Sequence, residues 1–195
     1  MKITLTKGFA ESERDQVAAL YWQAFSSKLG TVMRPEGKAL NFLRTVVDPA
    51  FAISARDPSG QLLGIAGFKT ADGALVGGEL GDLQTAYGLW GSLWRGTLLS
   101  VLERDLESGV LLMDGIFVSE EARGHGVGTQ LLHAILDEAR SRNLAQVRLD
   151  VIDNNPRARA LYERVGFTAG QTDHFGALRL LFGFSNATRM THSLT

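Results

Sequence analysis

The sequence predicts an α/β fold built on a mixed sheet, and three observations predict it. The first is an apolar run from Val110 to Val118, the length of a buried strand, followed by a short polar connection. Next comes a glycine-rich turn, Arg123 to Gly128, running into Leu131, Leu132, Ile135, Leu136 and Ala139 at helical spacing, and Gln146 to Ile152 then alternates into a further strand. Parallel neighbours require such a crossover, so Val110–Val118 and Gln146–Ile152 are expected side by side, joined by a helix over Gly128–Arg142. The third is a hairpin: Phe51 to Arg56 and Gln61 to Lys69 are strands divided by the turn Asp57-Pro58-Ser59-Gly60, which adds an antiparallel pair.

The other elements follow in order. Lys2 to Thr6 alternates as a first strand. Ser12 with Asp15 three residues on suits a helix start, and Val17, Leu20, Tyr21, Ala24 and Phe25 line one face of a helix ending near Gly30. Pro35 suits the first turn of a second helix, with Leu40, Leu43, Val46 and Val47 facing inward. Between residues 77 and 106, Leu83, Tyr87, Trp90, Trp94, Leu98 and Val101 recur at helical spacing. Gly88, Gly91 and Gly96 each weaken that helix by about 1 kcal/mol relative to alanine. Beyond Phe167 there is an apolar stretch, Leu178 to Phe184, and a last strand over Ala187 to Leu194, with no order fixed between them.

A chain of 195 residues, 45% apolar and 21% charged, suits one globular domain over residues 1–195. A net charge of −1 supplies no field to recruit nucleic acid or an anionic membrane. The absence of cysteine excludes disulfides, thiolate metal sites and a cysteinyl intermediate. His125, His133, His174 and His192 have no ligand-like spacing, so no metal site is expected. MKITLTKGF lacks a signal-peptide core and no apolar run approaches the roughly 20 residues of a membrane span, so cytoplasmic residence is the expectation.

The turn carries the chemistry. Glycines between a strand and a helix start bring backbone N–H groups and the positive end of a helix dipole to one anion, and Arg123 adds a charged donor. A P-loop would need Lys-Ser/Thr where Thr129-Gln130 stands, and the dinucleotide fingerprint needs a third glycine where Thr129 stands. A nucleotide-phosphate binder of the doubly wound type is disfavoured on both counts.

The spacing resembles the pyrophosphate loop of the GNAT superfamily of acyl-CoA N-acyltransferases, Gln/Arg-x-x-Gly-x-Gly/Ala, at Arg123, Gly126 and Gly128. Asn155, Ala158, Leu161, Tyr162, Gly166 and Phe167 are similar to that family's Asn-x-x-Ala-x-x-Leu-Tyr-x-x-x-Gly-Phe signature at every position. The resemblance implies a mixed, strongly twisted sheet of six or seven strands with helices on both faces, and the segment from Gly77 to Leu106 is extra to the simplest pattern.

The resemblance also implies acetyl-CoA as cosubstrate and a small-molecule or peptide amine as acceptor. Coenzyme contacts fall on Ile116, Phe117 and Val118 of the strand, on Arg123, Gly124, His125, Gly126, Val127, Gly128 and Thr129 of the loop, and on Asn155, whose other reading is a helix cap. Gly115 is consistent with a bulge, a close backbone approach or packing. Tyr162 falls where the family's general acid stands; its other reading is an apolar-face tyrosine packed in a helix with Ala158, Leu161 and Val165. Asp114 is the candidate base, with Glu79 and Asp82 as rivals, no dedicated base as a further alternative, and a structural ion pair as the other reading of Asp114 itself. Tyr21, Trp22, Phe25 and Met33 are either acceptor-cleft or core residues. The tryptophan stripe is core, cleft wall or homodimer surface. The alternative function is a non-catalytic acyl-CoA-binding domain.

Overall fold

The computed structural model describes residues 2–77, 80–100, 106–176, 179 and 183–194. Its elements are β1 (Thr4–Lys7), α1 (Arg14–Met33), α2 (Glu36–Val46), β2 (Ala52–Arg56), β3 (Leu62–Thr70), β4 (Gly73–Ala74), α3 (Leu80–Ser100) and β5 (Val110–Val118). After these come α4 (Val127–Ser141), β6 (Gln146–Ile152), α5 (Pro156–Arg164), β7 (Thr168–His174) and β8 (Asn186–Ser193). The sheet order is β1-β2-β3-β5-β6-β8-β7, with the two-residue β4 on β3. It is this short strand that takes the count from the expected six or seven to eight.

Adjacent strands are antiparallel except β5 and β6, which are parallel and joined by α4 as expected. α4 earns its place by amphipathicity: Val127, Leu131, Leu132, Ile135, Leu136 and Ala139 are buried against the sheet. A second cluster, with Trp22, Val32, Met33, Phe42, Leu43, Leu83 and Tyr87, locks α1, α2 and α3 together.

Three expectations are corrected. α1 starts two residues beyond Ser12, after a short turn at Glu11–Glu13, and it is Glu13 whose carboxylate accepts from the Ala10 amide at 2.7 Å. α1 also runs through Gly30 to Met33, because burial of Val32 and Met33 outweighs the cost of about 1 kcal/mol for one helical glycine. α3 is helical but breaks at Gly88 (φ 74°, ψ 172°), which splits the aromatic stripe. Leu83 and Tyr87 are core before the break, and the Tyr87 hydroxyl donates to the Met33 carbonyl at 2.5 Å, whereas Trp90 beyond it is 80% exposed. One strand has no counterpart in the sequence reading: Thr168–His174 lacks apolar alternation, since it is an exposed edge. The stretch from Leu178 to Phe184 falls largely outside the described residues.

Candidate active site

β5 and β6 pair through only three residues, Val110 with Gln146, Leu111 with Val147 and Leu112 with Arg148. Beyond them β5 stays paired with β3 and β6 with β8, but not with each other. The two strands therefore part from Met113 and Leu149 onward, opening a seam in the middle of the sheet.

On the β3 side of this seam, Gly67 pairs with Gly115 while the next residue, Phe68, pairs with Met113. Asp114 is thus the extra residue of a β-bulge, a device that re-aims side chains beside binding sites. A Cβ on Gly115 would lie 3.0 Å from the rings of both Phe25 and Phe117, so this glycine serves both a bulge and a close approach. Tyr21 and Phe25 of α1 pack on Phe117, with ring centroids 5.1 and 5.4 Å from its own and 4.7 Å from each other. Tyr21 and Phe25 are half-buried beside the seam, while Trp22 and Met33 belong to the second core cluster. On β5, Phe117 is buried and Asp114, Ile116 and Val118 are half-exposed.

At the end of β5 the chain turns through Glu120–Ala122 into the loop. Gly124 and Gly126 both hold φ near +80°, a conformation glycine adopts without strain, and a Cβ on either would meet nothing within 4 Å. Gly126 is the N-cap of α4, so no side chain caps that helix, and its first turn has no acidic residue. The first intrahelical bond is Gln130 N–H to Gly126 O, at 3.1 Å. The amides of Val127, Gly128 and Thr129 precede it and have no helical acceptor. Open space over two glycines, uncapped amides and the positive helix end together fit an anion such as a pyrophosphate. Gly128 differs from its neighbours: it is helical, and its missing side chain leaves room for Leu161 of α5. Arg123 closes the turn, its Nε donating to the Val118 carbonyl and its guanidinium pairing with Glu120, both at 3.3 Å. His125 is exposed.

α5 begins at Asn155, whose side-chain oxygen accepts from the Ala158 amide at 3.2 Å, with Pro156 next; the cap reading of Asn155 holds. Tyr162 is buried, with its ring 6.0 Å from that of Phe167. Of the rival bases, Asp82 lies in the first turn of α3 and Glu79 falls outside the described residues.

Two charged residues missing from the sequence reading lie on β6. Arg148 and Asp150 have side chains 6% and 8% exposed; Arg148 contacts Asp150 at 3.8 Å and Glu107 at 3.1 Å. Their signal was two charges at alternate positions of a strand whose other residues after Gln146 are apolar. A groove of about 780 Å³ between α1 and α2, lined by Gln16, Leu20, Gln23 and Arg34 among others, uses the face of α1 turned away from Phe117 and is not this seam. Among the described residues no group of three or more His, Asp or Glu stands where it would hold a metal ion, and no helix is long and apolar enough to cross a membrane.

A sequence model of the acetyltransferase (GNAT) family matches residues 14–167. Thialysine N-epsilon-acetyltransferase from Bos taurus is 34% identical over 56 residues, 29% of this chain and 33% of that protein. Mycothiol acetyltransferase from Beutenbergia cavernae is 47% identical over 51 residues, 26% of this chain and 17% of that protein. The match thus spans a third or less of the length of these two relatives. An N-acetyltransferase from Staphylococcus aureus Mu50 superposes with a TM-score of 0.69 at 15% identity, covering 97% of this chain and 100% of that one. Ribosomal-protein-S18-alanine N-acetyltransferase from Escherichia coli does so with a TM-score of 0.58 at 13% identity, covering 100% and 95%. At such identities the likeness is one of fold.

Proposed function

The chain belongs to the acetyltransferase (GNAT) family, and from that premise we propose that it moves an acetyl group from acetyl-CoA to a primary amine of a small molecule or peptide, by direct attack in a ternary complex. The observation that carries this reading is the seam between β5 and β6 with the uncapped start of α4 at its end.

Bound acetyl-CoA supplies a thioester carbonyl for the amine to attack. The amides from Gly124 to Thr129 hold the pyrophosphate, and the helix dipole adds to them. The unpaired edge of Ile116, Phe117 and Val118 offers backbone groups to the extended arm in the seam and polarises the carbonyl. Tyr162 gives its phenolic proton to the leaving sulfur. Asp114, aimed by the bulge, receives a proton from the amine, which at neutral pH is almost wholly protonated with a pKa near ~10.4.

Thiol release from acetyl-CoA tests the reading, with thialysine, an alanine-initiated peptide and spermidine as acceptors. The first two amines are those named for two of the similar proteins. Release that depends on one of these amines is the expected result. Thermal stabilisation by coenzyme A with no turnover of any amine would favour a non-catalytic acyl-CoA-binding domain, and stabilisation by NAD or ATP instead would overturn both.

A further inference from the structure

Among the described residues, large apolar side chains cluster in solvent at one place, on α3. Leu89 is 63% exposed, Trp90 80% and Leu93 60%, whereas Leu5, at 37%, stands apart on β1. Trp90 is three residues past Tyr87 and seven past Leu83, so an unbroken helix would carry all three on one buried face. Gly88 prevents this. Its φ of 74° and ψ of 172° lie in a region open to little but glycine, and the break puts the second half of α3 in a new phase. That half is inside out. Ser92 is buried, its hydroxyl donating to the Leu89 carbonyl at 2.8 Å. Leu93, four residues from Leu89 and three from Trp90, shares the outer face with both.

We infer that this face is the contact between two copies of the chain, a two-fold dimer across α3 with Trp90 as its anchor. Charge selects the partner. From Leu83 to Trp94 there is no Asp, Glu, Lys, Arg or His. A surface for nucleic acid would carry cations, and a helix that lies on a membrane carries Lys or Arg along its polar side. A two-fold contact sets one patch against itself, so a charge near the axis would meet its like at a cost of several kcal/mol. An uncharged apolar patch escapes that penalty. At these exposures the three side chains offer roughly 400 Å² per copy, so two copies bury about 800 Å² before the polar rim of Gln84 and Thr85 is counted, the scale of a small, reversible interface. Tryptophan is also a residue type in which binding energy concentrates. The contact braces a helix whose first half, through Leu83 and Tyr87, packs with Trp22 and with Ile152 of β6. It stands independently of the acyl-transfer reading.

Sedimentation equilibrium of the unmodified chain is the first test, and a reversible monomer–dimer equilibrium in the micromolar range is expected. Trp90→Lys should raise the dissociation constant by at least about 10²-fold, because both copies lose the anchor and two cations then face each other. Its melting temperature at dilutions where the wild type is monomeric should match the wild type, since Trp90 touches little of its own chain. The sequence has no cysteine, so Leu93→Cys introduces a single thiol. A short bis-maleimide should join it to a second copy, whereas Ser59→Cys, in the turn between β2 and β3, should stay unlinked. A wild type that remains monomeric at its highest soluble concentration overturns the assignment. So does a Trp90→Lys protein that dimerises as the wild type does, or a Leu93→Cys protein that links no faster than Ser59→Cys. Phosphatidylcholine vesicles supply the last arm. A blue shift of tryptophan emission on mixing them with the wild type, absent from Trp90→Lys, would give the face to a bilayer and overturn the dimer.

Discussion

Leu161 rests against Gly128: a Cβ added to that glycine would lie 3.3 Å from the Leu161 Cδ2. Gly128 is the second residue of α4, and Leu161 precedes Tyr162 on α5. The helix that offers open amides and the helix that carries the candidate acid are therefore registered through one contact. Gly128→Ala should lower kcat several-fold with a small change in coenzyme affinity. Gly128→Val should disturb both and cost about 1–3 kcal/mol through overpacking. Calorimetry with coenzyme A, steady-state rates and thermal melts on the two variants check this; a Gly128→Val protein with unchanged kcat would remove the coupling.

Gly126 offers a sharper separation between stability and binding. Gly126→Val forces a β-branched residue into φ near +80° and should lose stability and coenzyme affinity together. Asparagine tolerates that conformation, and at an N-cap its side chain accepts from the orphan amides. Gly126→Asn should thus keep the wild-type melting temperature within about 2–4 °C, a shift worth roughly 1 kcal/mol. Its coenzyme affinity should still fall at least tenfold, because the cap takes the place of the anion. Equal affinity in Gly126→Asn would mean that the pyrophosphate lies elsewhere.

Tyr162→Phe removes one oxygen and keeps the ring that packs near Phe167. Coenzyme affinity should hold, and the single-turnover rate should drop by roughly 10²–10⁴-fold if the hydroxyl protonates the sulfur. Single turnover is the proper measurement, since slow product release would mask part of the loss in kcat. Full single-turnover activity would make Tyr162 a packing residue.

Acid should destabilise the fold through two carboxylates. Burial alone would raise the pKa of Glu138, but hydrogen bonds from Lys7 at 2.6 Å and Arg142 at 2.8 Å more than offset this and hold it below its usual 4.5. The Arg56 guanidinium holds Glu13 below the same value. A folded pKa below the unfolded one means that the unfolded chain binds more protons in that interval. The stabilisation is therefore complete above about pH 4.5 and is lost as pH falls through the folded values. Melting temperatures from pH 7 to pH 3 should fall in the wild type. Glu138→Gln should melt lower at pH 7 and change less with pH; parallel curves for the two proteins would exclude Glu138 as a source.

Elements that bury a whole face were legible from the amino acids. Val110–Val118 has the bounds its apolar run indicates, and α4 follows the spacing of Leu131, Leu132, Ile135, Leu136 and Ala139. β7 was not legible, because an edge strand such as TAGQTDH satisfies half its backbone through β8 and needs no apolar alternation. The end of α1 was misplaced because a local signal, Gly30, competes there with the distant packing of Val32 and Met33. In the loop, the Gly124 and Gly126 spacing led to the open amides. The role of Gly128 depended on where Leu161 came to rest, which no local pattern encodes. Arg148 and Asp150 were passed over for the same reason: only the fold shows that both charged side chains of β6 are buried and in contact at 3.8 Å.

Among the described residues the strand ladder that joins β1-β2-β3-β5 to β6-β8-β7 has three residue pairs, since beyond Leu112 and Arg148 each strand bonds only to its own side. Mechanically the sheet is two antiparallel panels on a short seam, and α4 crosses from one to the other. Panels joined so lightly can open as separate cooperative units, and amide exchange reads such openings directly. A coenzyme laid along the seam touches both panels and acts as a rivet. Protection should therefore rise on binding in the β6-β8-β7 panel as far out as Thr168–His174, the edge strand separated from β6 by β8.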